Sequence, residues 1–117
     1  MNLLDKLLGL PIDKVFPVLD LYRIFLLHPD MSQHFKKFET GMIHINTIMG
    51  HLGNKAANDP VKMLSLRCIV NLFRDQAAIF VLRERREKVV EGLAAHLENP
   101  KATVREAAVT ALLNYSI

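Results

Sequence analysis

The chain has 117 residues, 50% of them apolar and 23% charged, with five glycines and no tryptophan, the size and balance of one globular domain able to bury a sizeable core. A formal net charge of +3 is too small an excess for a dedicated nucleic-acid binder, although its sign favours an acidic partner. The single cysteine, Cys68, excludes an internal disulfide, no apolar run approaches the ~18 residues of a membrane span, and Asp5 interrupts the first apolar run as no secretory signal would, so a cytosolic or nuclear protein is expected.

Residues Asn2 to Leu8 predict a short amphipathic helix stopped by Gly9 and Pro11, and Asp13 to Phe16 one further turn. Pro17 suits the first turn of the next helix, where its missing N–H has no intrahelical partner, and that helix runs to His28 because Pro29 disfavours continuation. Asp30 to Phe38 predicts a small polar-faced helix. Glu39 to His51 predicts a longer one, with Met42, Ile45, Ile48, Met49 and Leu52 on its apolar side and Gly53-Asn54 ending it in a left-handed conformation. Asp59 is the expected N-cap of a helix with Pro60 behind it that ends near Arg74, and Cys68 belongs to its buried face. Asp75 caps a helix through Gln76 to Leu82 that leads into Arg83 to Leu97, whose core stripe is Val89, Val90, Leu93, Ala94 and Leu97. After Asn99-Pro100 breaks the chain, Thr103-Val104-Arg105-Glu106 forms a capping box, and the last helix reaches Asn114 or beyond. Few β-branched alternating runs oppose this, so the class is all-α.

Three of the helix starts, at Pro17, Pro60 and Thr103, stand 43 residues apart, the length of one armadillo or HEAT unit. The stretch Ile48 to Asn54, with His51-Leu52-Gly53-Asn54, recurs as Leu93 to Asn99, with His96-Leu97-Glu98-Asn99, and Asn71-Leu72-Phe73 recurs as Asn114-Tyr115-Ser116. A two-residue difference in length falls in the loop Lys55-Ala56-Ala57-Asn58. Each unit reads as a short helix followed by two long ones. The expectation is an armadillo-like right-handed helical solenoid of about three repeats, roughly 1–28, 29–74 and 75–117, forming one domain. The apolar helix from Ala107 to Ile117 has no following unit to cover it, and terminal repeats normally carry a polar outer face, so the array is expected to be part of a longer one.

Several of these stretches are similar to a known family. Val15-Phe16-Pro17-Val18-Leu19-Asp20-Leu21-Tyr22-Arg23 with His28-Pro29, Met63-Leu64-Ser65-Leu66-Arg67 running to Asn71-Leu72-Phe73, and Ala111-Leu112-Leu113-Asn114-Tyr115-Ser116 resemble, in order and spacing, the PUL domain. The likeness covers the chain from about Leu7 to Ile117 and is that of the first three units of a six-unit armadillo array; the run Arg83 to Lys88 is more charged than the family's pattern. The resemblance implies a non-enzymatic adaptor of ubiquitin-dependent turnover. Its partner would be the hexameric AAA+ ATPase valosin-containing protein, Cdc48 in fungi, whose C-terminal tail is acidic and ends in an aromatic residue.

The candidate peptide-binding residues follow from armadillo geometry, in which third helices line a concave groove. Arg67, Asn71 and Arg74 share one helix face at i, i+4 and i+7. Asn71 can pair with the N–H and C=O of an extended peptide, Asn114 repeats it one unit on, Arg67 reaches a carboxylate bidentately, and Arg23 is the counterpart in the first unit. No catalytic residue, cofactor or metal site is expected: His28, His34, His44, His51 and His96 form no pair at four-residue spacing, and no nucleophile signature occurs. Arg83-Glu84-Arg85-Arg86-Glu87-Lys88 alternates in sign and reads as a solvated helix face. Two other functions compete with tail binding. A helical-repeat nucleic-acid module would show strong salt dependence, and a scaffold that self-associates through exposed repeat ends would change size with concentration.

Overall fold

The structure, a computed structural model, describes residues 6–27 and 38–116, with side chains for 6–27 and 41–115. Among these residues every regular element is helical: residues 6–8, then α1 (Phe16–Phe25), α2 (Phe38–Leu52), α3 (Asp59–Leu72), α4 (Gln76–Glu84), α5 (Arg86–Ala94) and α6 (Ala102–Ser116). The helix expected over Asp30 to Phe38 lies, up to its last residue, outside the described residues, as do Asn2 to Asp5 and His28. None of these helices is long and apolar enough to cross a membrane.

Helices α1, α3 and α6 begin at Phe16, Asp59 and Ala102, 43 residues apart, with Pro17 and Pro60 in the first turns of the first two. The caps differ from expectation by a residue or two. The N-cap of α3 is Asn58, whose Oδ1 accepts the Val61 N–H at 3.0 Å; Asp59 is already helical and contributes its charge to the positive helix end. Asp75 caps α4 as expected, accepting from Ala78 N–H at 3.1 Å. The capping box at Thr103 is corrected: Ala102 already belongs to α6, so Thr103 stands inside the first turn, where its hydroxyl no longer precedes the helix. The left-handed end at Gly53-Asn54 is also corrected, because no described residue has positive φ. Gly53 N–H returns to Met49 O and Asn54 N–H to His51 O, which keeps the chain right-handed past the end of α2. The long segment Arg83 to Leu97 divides at Arg85, at φ −104° and ψ 16°, while its guanidinium reaches across to Asn46 Oδ1 at 3.0 Å. Of the expected stripe, Val89 and Leu93 are buried, Val90 is half-buried, and Ala94 and Leu97 are exposed, since Leu97 follows the last helical turn.

Helix α3 packs on α1, α2 and α6, and α2 also touches α4 and α5, so one core joins all six helices. It takes Leu19 and Tyr22 from α1, Ile45, Ile48 and Leu52 from α2, Leu66, Cys68, Ile69 and Leu72 from α3, Val81 and Leu82 from α4, and Val104, Ala108 and Ala111 from α6. Val61, Ser65 and Cys68 are buried, and so are the residues 43 positions later, Val104, Ala108 and Ala111. Burial pushes the Cys68 thiol up to about 12, which keeps it protonated and unreactive at neutral pH. Two polar groups enter the core. His44 shares a hydrogen bond of 2.6 Å with the Tyr22 hydroxyl, whereas Ser65 Oγ has no hydrogen-bond partner among the described residues.

The recurring His-Leu-x-Asn stretch is a recurring piece of structure. His51 Nε2–H donates to the carbonyl of Leu8, and His96 is hydrogen-bonded to the backbone of Leu52, the last residue of α2. Asn54 Oδ1 accepts the Ala56 N–H and Asn99 Oδ1 the Lys101 N–H, both at 2.8 Å, so each asparagine folds the loop that follows into an Asx turn. The asparagine N–H groups return to their histidine carbonyls at 3.3 and 3.2 Å.

Adjacent core positions give opposite predictions. Leu66→Ala removes a fully buried side chain and lowers unfolding free energy by about 2–5 kcal/mol, read as a lower urea midpoint at unchanged m-value. Ser65→Ala removes a buried hydroxyl that lacks a hydrogen bond among the described residues and introduces a better helix former, so it is neutral or stabilising by up to ~1 kcal/mol. A second test uses pH. Burial, and after it the charge of Lys62, hold the His96 imidazole below its ordinary value of 6.5. The unfolded chain therefore takes up this proton first, and stability falls as pH drops through that value. Between about pH 7.5 and about pH 5.5 the His96→Gln variant loses less of its urea midpoint than the parent chain does.

Candidate functional site

The strip of α3 that its three neighbours leave uncovered carries Arg67 and Asn71, and it faces a shallow hollow between α1 and α6. This hollow, about 410 Å³, is lined by Arg23 and Leu27 from the end of α1, Arg67, Val70 and Asn71 from α3, and Thr103, Glu106, Ala107 and Thr110 from α6. A second hollow of about 340 Å³ shares Arg23 and Arg67 with it and continues toward the helix starts, where Phe16, Asp59, Pro60, Met63, Leu64 and Lys101 line it. Together they make a groove crossing α1, α3 and α6, polar at one end and largely apolar with a cationic rim at the other.

The structure brings Arg23, Arg67 and Asn71 together and separates them from Arg74 and Asn114. Arg67 is exposed and has no carboxylate at ion-pair distance among the described residues. Arg23 is half-buried and held by Asp20, its Nη2 at 2.8 Å and its Nε at 2.9 Å from the same carboxylate oxygen, so its charge is partly neutralised within α1. Asn71 serves the fold directly, since its Nδ2–H donates to the carbonyl of Arg23 at 2.8 Å. Leu27 N–H turns to Ile24 O, so the Arg23 carbonyl lacks its usual donor four residues on, and Asn71 supplies one from the neighbouring helix. Arg74 is exposed two residues beyond the end of α3 and does not line the hollow. Asn114 is half-buried in a separate hollow with Phe73, Ile79, Arg83, Arg86 and Tyr115.

Sequence reasoning missed Asp20, Glu106, Lys101 and Thr110. Asp20 was accessible through its i, i+3 relation to Arg23. Glu106 and Thr110 follow from projecting the groove-lining residues of α3 forward by the 43-residue period, since Pro60, Met63, Leu64 and Arg67 map onto Thr103, Glu106, Ala107 and Thr110, all four of which line the groove, whereas Lys101 precedes α6 and no such projection reaches it. Glu106 brings a negative charge to the α6 wall, and Asp59 brings one to the apolar end. Among the described residues no three His, Cys, Asp or Glu side chains converge as metal ligands would.

Comparison with known proteins gives a family and a relative. The model of the PUL domain matches residues 1–117. A Caenorhabditis elegans protein described as a ubiquitin fusion degradation protein 3 homolog is 28% identical over 108 residues, which cover 92% of this chain and 13% of that protein. The chain thus spans a small part of the length of that relative. No solved structure shows significant similarity to the chain.

Asn71→Ala deletes the bond that holds the end of α1 against α3. It costs about 1 kcal/mol of stability, and hydrogen exchange at Leu26 and Leu27 rises before exchange in α6 does.

Proposed function

The chain belongs to the PUL domain family, and we propose that it is a non-enzymatic interaction module of ubiquitin-dependent turnover. Its groove binds the acidic C-terminal tail of the AAA+ ATPase valosin-containing protein, Cdc48 in fungi, in the cytoplasm or nucleus. In this reading the chain is one domain of armadillo-like units, roughly 1–28, 29–74 and 75–117, stacked as a right-handed solenoid. The 43-residue spacing of α1, α3 and α6 and the repeated histidine and asparagine contacts support it.

The observation that carries the functional reading is the convergence of Arg23, Arg67 and Asn71 from two helices on one groove that α6 closes on the far side. Arg67 is the principal carboxylate contact, because its guanidinium is exposed and without an ion-pair partner among the described residues. Arg23 assists with a charge shared with Asp20. Asn71 positions the Arg23 backbone and with it the α1 wall, and uses one of its two amide donors to do so. Arg74 lies outside the groove and Asn114 in a separate hollow, so this reading gives neither a contact with the tail. Glu106 and Asp59 repel a uniformly acidic chain and restrict which residues of the ligand can be carboxylates. The same two acids count against a nucleic acid, whose phosphates would meet them at regular intervals.

Titration of the acidic ATPase tail peptide into the chain tests this. Arg67→Ala weakens binding about tenfold and Glu106→Gln strengthens it a few fold, in keeping with one charge-assisted bond lost and one repulsion removed. Equal affinity of the Arg67→Ala variant and the parent would sink the assignment.

A further inference from the structure

The hollow that holds Asn114 is lined by Phe73, Ile79, Arg83, Arg86 and Tyr115 and measures about 480 Å³. From this combination we infer that it is a second binding site, independent of the groove, for an oxyanion carried on an aromatic ring. Arg83 comes from the last turn of α4 and Arg86 is the first residue of α5, so two guanidiniums flank one hollow across the α4–α5 junction. Neither has a carboxylate within ion-pair distance among the described residues. Of the charged run from Arg83 to Lys88, only Arg83 and Arg86 line this hollow; they also border the adjoining surface depression, where Glu84 and Glu87 lie, but neither acid enters the hollow's lining. A pair of unneutralised guanidiniums lining a concavity is the arrangement that takes a carboxylate or phosphate through bidentate hydrogen bonds.

The rest of the lining is largely aromatic and held in place. Tyr115 donates its O–H to the Leu82 carbonyl at 3.0 Å, and its ring meets Phe73 edge to face with centroids 4.8 Å apart. Burial raises the Tyr115 phenol pKa against the opposing charge of Arg86, so the hydroxyl stays neutral and keeps its bond to Leu82. Phe73, Tyr115 and Ile79 offer an apolar face for a planar ring, and the Asn114 carboxamide offers a donor and an acceptor at its edge. A bare inorganic anion would leave that face unused, whereas a neutral aromatic would leave both arginines unpaired. An aryl phosphate and an aryl carboxylate satisfy both the arginines and the aromatic lining.

Side-chain and backbone NMR titrations with phenyl phosphate, benzoate and inorganic phosphate test the site on the whole chain. At least one aryl anion is expected to shift Arg83 and Arg86 Nε–H, the Asn114 side-chain amide and the Phe73 and Tyr115 rings saturably, binding at least about fivefold tighter than inorganic phosphate. The tighter of the two aryl anions identifies whether phosphate or carboxylate is the natural group. Arg83→Ala and Arg86→Gln each weaken that binding about fivefold or more with the circular dichroism unchanged, and Arg67→Ala leaves it as it was, which separates this site from the groove. The inference is overturned if inorganic phosphate binds as well as both aryl anions, if the shifts spread evenly over the arginines of the surface, or if the Arg83 and Arg86 variants bind like the parent.

Discussion

Covering α3 on three sides is the constraint from which the rest of this molecule follows. With α1, α2 and α6 packed around it, Leu64, Ser65, Leu66, Cys68, Ile69 and Leu72 are all buried, and beyond the first turn, where Lys62 emerges on another side, only a narrow strip remains in contact with solvent. In that stretch polar side chains can emerge only along the strip, because an unpaired guanidinium or carboxamide elsewhere on it would be desolvated in the core. Arg67 and Asn71 consequently share one line, and that line lies between the two helices that form the walls of the groove. The packing of the core and the position of the candidate site are one fact.

Polar side chains in and beside the groove stabilise its walls. Asn71 completes the hydrogen bonding of the α1 terminus, Asp20 holds Arg23, and Arg105 donates to the carbonyls of Asn99 and Pro100 just before α6 begins. Arg67 differs, since it has no such structural role among the described residues and keeps its charge for solvent or a ligand. Charge is distributed unevenly along the groove, with Arg23 and Arg67 shared by its two hollows, Lys101 and Asp59 at the apolar end and Glu106 on the α6 wall. An acidic ligand therefore meets a patterned surface, which favours one register over the others. The hollow at the α4–α5 junction has a different character: two arginines, no acid in its lining, and a fixed aromatic wall.

Much of this was legible along the chain because helical periodicity and proline placement are local properties. Pro17 and Pro60 mark the first turns of α1 and α3, and the apolar spacing of Met42, Ile45, Ile48, Met49 and Leu52 marks the inner face of α2. What failed did so where two local signals competed. Asn58 and Asp59 are both good caps, and the side chain that reached the Val61 amide decided between them. Gly53 permits a left-handed turn, yet Asn54 could fold the loop through an Asx turn without one. His44 bears no sequence mark of a core residue, and its hydrogen bond to Tyr22 helps to satisfy the buried imidazole.

Composition and pattern by themselves determined the helical class, the 43-residue period and the membership of Arg67 and Asn71 in one face of one helix, since each depends on neighbours within a few turns or on simple recurrence. Only the packed structure decided that Arg23 joins them while Asn114 goes to another hollow, that Asn71 is already committed to the backbone of α1, and that Glu106 stands opposite. Those outcomes depend on where separate helices cross and on which side chains sort to which side of a junction, and no local spacing encodes either.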